Sequence, residues 1–149
     1  MIAVDTNLLI YAHREDSEWH QEALAALMGL ANGARRWAIP WPCVHEFLAI
    51  STHPAIYTPP SPLELALDSI EAWLRSPSCR PIGEGTGYFA VLRQAATKAR
   101  IRGPVIHDAR IAAICLENGV VELWSADRDL GRFAGLKVVN PLVKRGRLL

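Results

Sequence analysis

The sequence predicts an α/β fold in which a parallel sheet is covered by helices on both faces. Three observations carry this expectation. Short apolar runs at residues 2–4, 37–41, 120–124 and 136–139 lack the in-out alternation of a half-exposed strand, as strands buried on both faces do. Segments with helical spacing of apolar residues lie between them, the alternation that builds parallel sheets. No Pro/Gly/Ser-rich linker, internal repeat or low-complexity tract divides the 149 residues. Residues 1–149 are therefore expected to form one domain, long enough to bury a sizeable core.

The elements follow in order. Ile2-Ala3-Val4 reads as the first strand and ends abruptly in Asp5, with Thr6-Asn7 and a second apolar run after it. Ser17 precedes a helix in which Trp19, Ala23, Leu24, Leu27 and Leu30 recur at helical spacing toward Gly33. Residues 37–41 form the second strand. Pro42 then suits the first turn of a helix carrying Val44, Phe47, Leu48 and Ile50. Residues 58–62 (Thr-Pro-Pro-Ser-Pro) are a rigid connector. Ser61 and Glu64 match a capping box with Pro62 at the first helical position, and Leu63, Leu67, Ile70 and Leu74 continue that helix until Pro77. Cys79–Ile82 is a short strand. Residues 88–101 form a helix that stops near Gly103. Pro104 opens another, with Ala109, Ala112, Ala113 and Leu116 on its apolar face and Gly119 after its end. The β-rich residues 120–124 and 136–139 supply the last strands.

Composition bounds the function. Half of the residues are hydrophobic, which argues against disorder. No apolar stretch reaches the roughly 20 residues of a membrane span. The chain reaches Asp5 without a basic leader, so a cytoplasmic location is expected. Cys43, Cys79 and Cys115 are an odd number without CxxC spacing, which points to buried reduced thiols rather than zinc. A net charge of +1 makes no global case for nucleic acid. Two basic clusters, Arg93/Lys98/Arg100/Arg102 and Lys144/Arg145/Arg147, are either solvated surface or a phosphate-facing rim.

A few acids stand apart because their neighbours are apolar. Asp5 ends a strand, where ligands bind in open parallel sheets. Glu46 lies on a helix otherwise poor in charge. Asp108 shares a helix face with Ala112 and Leu116. Asp127 and Asp129 follow the fourth strand. Each also has a local reading: Asp5 as a helix or turn cap, Glu46 as a partner of His45 or an Arg, Asp108 as a first-turn acid, and Asp127 with Asp129 as an Asx turn. The local readings leave unexplained why all sit at strand ends or apolar helix faces. If they converge, like charges raise one another's pKa unless a cation neutralises them. Their all-oxygen chemistry, with no competing His/Cys set, selects Mg²⁺ or Mn²⁺ over zinc.

These motifs resemble the PIN-domain family, and more narrowly the VapC toxins of bacterial VapBC toxin–antitoxin systems. The matching pieces are Val4-Asp5-Thr6-Asn7-Leu8-Leu9, Glu46-Phe47-Leu48, Thr52-His53-Pro54 with Pro59-Pro60-Ser61-Pro62-Leu63, Asp108-Ala109-Arg110-Ile111-Ala112-Ala113, and Ser125-Ala126-Asp127-Arg128-Asp129-Leu130 through Asn140-Pro141-Leu142. They span nearly the whole chain in the family's order. Asp5, Glu46, Asp108 and Asp127 match the family's acidic quartet, Asp129 an additional and less constant acid. Thr6 matches the small hydroxyl beside the first Asp, and Ser125 replaces a usual Thr before the fourth acid. Leu130 replaces a usual Phe, and Leu48 and Ala49 stand where many relatives carry Arg.

The resemblance implies a three-layer α/β/α domain with a parallel sheet of about five strands, order 3-2-1-4-5. It implies an endoribonuclease using Mg²⁺ or Mn²⁺, held most directly by Asp5 and Asp108 and completed by Glu46 and Asp127, with Asp129 a further candidate. Thr6 and Ser125 support the acids; His13, His45 and His107 are expected in packing or surface roles. The implied partners are an RNA substrate, a VapB-type antitoxin and a second copy in a homodimer, with operator DNA reached only through the antitoxin and no membrane. Trp19, Trp41, Phe47, Trp73 and residues 59–62 are apolar candidates for the antitoxin's grip. The alternative is a catalytically silent PIN module that binds RNA or a protein. A phosphatase or phosphotransfer receiver built on Asp5 fits less well, because Asn7 stands where a dehalogenase-type site wants a second acid.

Overall fold

The computed structural model of the chain describes residues 1–143, so Lys144, Arg145 and Arg147 of the second basic cluster lie outside the described residues. Five strands run in parallel: β1 (Ile2–Val4), β2 (Trp37–Pro40), β3 (Cys79–Ile82), β4 (Glu122–Trp124) and β5 (Lys137–Val139). Their order is β3-β2-β1-β4-β5, as expected. The register pairs Ile2 with Trp37 on one side of β1 and Ala3 with Leu123 on the other. The central strands are buried on both faces, which is why they read as continuous apolar runs.

The helices are α1 (Thr6–His13), α2 (His20–Asn32), α3 (Trp41–Ser51), α4 (Leu63–Leu74), α5 (Tyr88–Lys98) and α6 (Ile106–Glu117). α1 packs on α2 and α3, and α3 on α4, while α5 packs on α6. Right-handed crossovers place these two groups on opposite faces of the sheet. The chain leaves β1 toward β2 and β3, then returns past β1 to β4. That reversal puts the topological switch point at the carboxyl ends of β1 and β4, where Asp5 and residues 125–127 stand.

Four departures from the sequence reading have physical causes. The apolar run after Asp5 is a helix, α1, whose length of eight residues is too short for its periodicity to declare itself. The helix expected at residues 88–101 ends at Lys98, because Arg100 turns into positive φ (50°) ahead of Gly103 (φ 59°). A 3-10 turn at Gly103–Val105 then precedes α6. The predicted capping box does not form. The N-cap of α4 is Pro62, and the Ser61 hydroxyl is taken instead by His13 Nε2 at 2.8 Å and the Arg14 guanidinium at 3.2 Å. His13 Nδ1 meets the Ser69 hydroxyl at 2.7 Å, so this histidine ties α1 to the connector and to α4. Phe47 is wholly buried, edge-on to His13 at 5.2 Å and to Trp73 at 5.4 Å, which removes it from the surface candidates for a partner.

Candidate active site

Asp5 joins the two readings its sequence left open. It ends β1 and is also the N-cap of α1, with Oδ1 accepting the Thr6 N–H at 2.8 Å. Oδ1 also accepts the Cys43 thiol at 3.6 Å. Oδ2 accepts the Ser125 hydroxyl at 2.7 Å and the Asn7 amide at 3.3 Å. The residue is only 6% exposed. Burial outweighs these hydrogen bonds and raises the carboxyl above its ordinary range, and the charge of Asp127 adds to the rise.

Ser125 is the clip between β1 and β4. Its hydroxyl donates to Asp5 and accepts the Asn7 amide at 3.2 Å and the Asp127 N–H at 3.0 Å. Asn7 Oδ1 in turn accepts the Ala126 N–H at 3.1 Å. A buried network with its donors and acceptors matched fixes one geometry, here the position of Asp127 relative to Asp5.

The other acids arrive from three elements. Asp108 is half-buried in the first turn of α6, where the helix dipole favours an acid. Burial raises its pKa, followed by the charges of Asp127 and Asp5, with Arg132 opposing. Glu46, on α3, is exposed over its residue surface. Partial burial of its carboxyl still raises its pKa, ahead of the charges of Asp5 and Asp108, with His107 opposing. Asp127 Oδ1 accepts the Asp129 N–H at 2.9 Å and caps a 3-10 turn at Arg128–Arg132, so the expected Asx turn is present within the site. Asp129 is exposed and lies 3.8 Å from the Arg132 guanidinium. Asp5 and Asp108 are thus within electrostatic reach of each other and of Asp127 and Glu46, and Asp129 within reach of Asp108, whereas His13 belongs to the α1–α4 network and His45 to the outer face of α3.

The residues fit a hard divalent cation. Thr6 Oγ1 is buried without a hydrogen-bond partner among the described residues, an orphan beside the acids. It is near enough to Glu46 to favour its charged form, but not within bonding distance. The neighbouring donors are all oxygen. Among the described residues no three His, Cys, Asp or Glu side chains form a ready-made metal cage.

Sequence reasoning passed over Asn7, Cys43 and Arg132 as members of this site. Asn7 carried a signal, a lone amide two residues after Asp5 in an apolar run. Cys43 carried none, since its bond to Asp5 depends on how α3 packs. It is buried as expected, but beside a carboxylate, and burial followed by the Asp5 charge holds its thiol well above the usual range.

The PIN domain family matches residues 2–136. This chain belongs to the PIN-domain family. Its relatives there are named VapC ribonucleases. Ribonuclease VapC43 of Mycobacterium tuberculosis is 33% identical over 142 residues, covering 95% of this chain and 96% of that protein. Ribonuclease VapC48 of the same species is 29% identical over 137 residues, covering 92% and 94%. The VapBC2 structure from Rickettsia felis, bound to a promoter DNA fragment, superposes with a TM-score of 0.68 at 18% identity, covering 94% of this PIN domain and 98% of that chain. That likeness shows the shared fold.

Proposed function

We propose that this PIN domain is a metal-dependent endoribonuclease, the toxin of a VapBC-type toxin–antitoxin pair. The observation that carries the proposal is the meeting of Asp5 and Asp108, both with raised pKa, beside the orphaned Thr6 hydroxyl at the sheet's switch point. Asp5 and Asp108 would hold Mg²⁺ or Mn²⁺, with Glu46 and Asp127 completing the site through waters and Asp129 at its margin. Bound there, the ion supplies a water of lowered pKa and offsets charge on the phosphate. Ser125 and Asn7 orient the Asp5 carboxylate for that role. Glu46, an exposed residue of α3 whose carboxyl pKa is raised, is suited to take a proton from the attacking water. The names of the VapC relatives support RNA as the substrate.

A VapB-type antitoxin would restrain this activity, as the VapBC2 neighbour suggests. Trp41, Val44, Leu48, Leu67, Ile70 and Leu74 line a groove between α3 and α4, with Trp41 40% exposed, and offer it apolar purchase. The assembly is proposed to be built on a homodimer, with operator DNA bound through the antitoxin, since a net charge of +1 gives this chain little DNA affinity of its own. The test of the activity is cleavage of RNA by the purified chain in Mg²⁺ or Mn²⁺, lost in excess EDTA and in Asp5→Asn and Asp108→Asn. Full cleavage in EDTA overturns the metal reading. RNA bound but never cut leaves the silent binding module.

A further inference from the structure

A groove of about 440 Å³ adjoins the acids at the open edge of the sheet, lined by Ser125, Arg128, Gly131, Leu136, Lys137, Val138 and Asn140. Ser125 belongs to both places, since its hydroxyl holds Asp5. Arg128 lies between Asp127 and Asp129 in sequence, yet among the described residues it pairs with neither; Asp129 is taken by Arg132. Lys137 is exposed at the start of β5. Its cross-strand neighbour Glu122 is engaged by Trp124 Nε1 at 3.0 Å and Arg35 at 3.6 Å. Lys137 N–H donates to Val121 and the Val139 carbonyl accepts from Ser125, so the Val138 N–H between them faces the open edge. Asn140 Oδ1 accepts the Leu142 N–H at 3.0 Å, which leaves its amide N–H groups as donors.

The groove therefore presents two cations, an edge N–H and an amide, beside a site whose acids repel a polyanion. A divalent ion at Asp5 and Asp108 answers only the phosphate it touches, and the flanking phosphates need cations of their own. An edge-strand Lys also deters pairing with another strand, but Arg128 lies on no strand and has no such role.

We propose that this groove is an RNA-backbone subsite, in which Arg128, Lys137 and the Val138 N–H hold phosphates of the strand that flanks the one at the acids. The inference rests on the ribonuclease reading above. Arg128 and Lys137 position the strand and add affinity without reading its sequence.

The test measures binding of a labelled single-stranded RNA pool of mixed sequence to the Asp108→Asn chain across a salt series. Adding Arg128→Gln and Lys137→Gln together is expected to weaken binding about tenfold and to reduce the salt slope by roughly one for each cation removed. In the otherwise native enzyme the loss falls on KM more than on kcat. Arg75→Gln, at the C-cap of α4 and paired with Glu71 away from the acids, is the control and leaves both readings unchanged. Lys137→Gln alone, with a slope lower by roughly one, keeps the measurement readable if Arg128→Gln disturbs the turn. Unchanged affinity and slope overturn the subsite while native cleavage leaves the ribonuclease standing, and so does a loss confined to kcat. A native chain that neither binds nor cuts RNA removes both readings.

Discussion

Asp5 must be ionised to hold a cation and is buried enough to resist ionisation. Without metal, its charge costs stability at every pH above its raised folded value. The sign follows directly: the folded state binds the proton more tightly than the unfolded chain, so stability falls as pH rises from the unfolded value through the folded one. Asn is as good an N-cap as Asp and keeps an oxygen for the Thr6 N–H. Asp5→Asn and Asp108→Asn are therefore expected to abolish cleavage yet melt higher than the native chain at pH near 7 in EDTA, about 2–4 °C for each kcal/mol relieved. Calorimetry of the metal-free variants decides: a loss of several kcal/mol in both would make the acids structural partners. The fourth position separates similarly. Asp127 is half-buried and fixed by Ser125, whereas Asp129 is exposed and held by Arg132, so Asp127→Asn should cost more single-turnover activity than Asp129→Asn. The acids were legible in the sequence because charge in an apolar run has a cost that demands a reason. Cys43 was not, because a thiol is unremarkable until packing shows what it touches, and Asn7 left only the trace of a lone amide in an apolar run.

Elements were legible where their edges carried chemistry. The strand Cys79–Ile82 and the glycine after α6 stand where the residues placed them, Gly119 at φ 75°. The capping box failed because Ser61 had a better-placed partner 48 residues away in sequence, a contact no local pattern encodes. That contact has a pH signature. Burial lowers the His13 pKa below 6.5, with Arg14 and His20 adding to the shift. A lowered basic group contributes stability that is present above the unfolded pKa and lost as pH falls through it toward the folded value. Melting temperature should therefore fall through this residue as pH drops below about 6.5. The raised carboxyls pull the opposite way, so the measurement is the difference between the native chain and His13→Gln. Removing His13 should flatten the acid-side loss, and equal slopes in the two chains would place the histidine outside the balance.

At the scale of the molecule, strand order followed from the resemblance rather than from periodicity, since periodicity counts strands but does not order them. The right-handed crossover rule then fixes which helices share a face, and with it where the switch point opens. Among the described residues, the same architecture leaves the groove between α3 and α4 uncovered on the side of α3 away from the core. In that groove Trp41 and Leu67 stay 40% and 39% exposed, apolar surface that water does not favour on a lone chain. A restraining antitoxin that folds onto this groove would bury it and, through a cationic side chain, replace the metal's charge at Asp5 and Asp108. Co-expression with the adjacent open reading frame is expected to yield a tight complex with cleavage suppressed and growth restored. Leu67→Asp should weaken that complex at least about tenfold, the effect of removing an interface anchor, while RNA cleavage by the free chain stays near native. A neighbour that neither co-purifies nor relieves growth arrest refutes the toxin–antitoxin pairing and leaves the nuclease chemistry to stand on its acids. A complex indifferent to Leu67→Asp instead moves the antitoxin to another face of the domain.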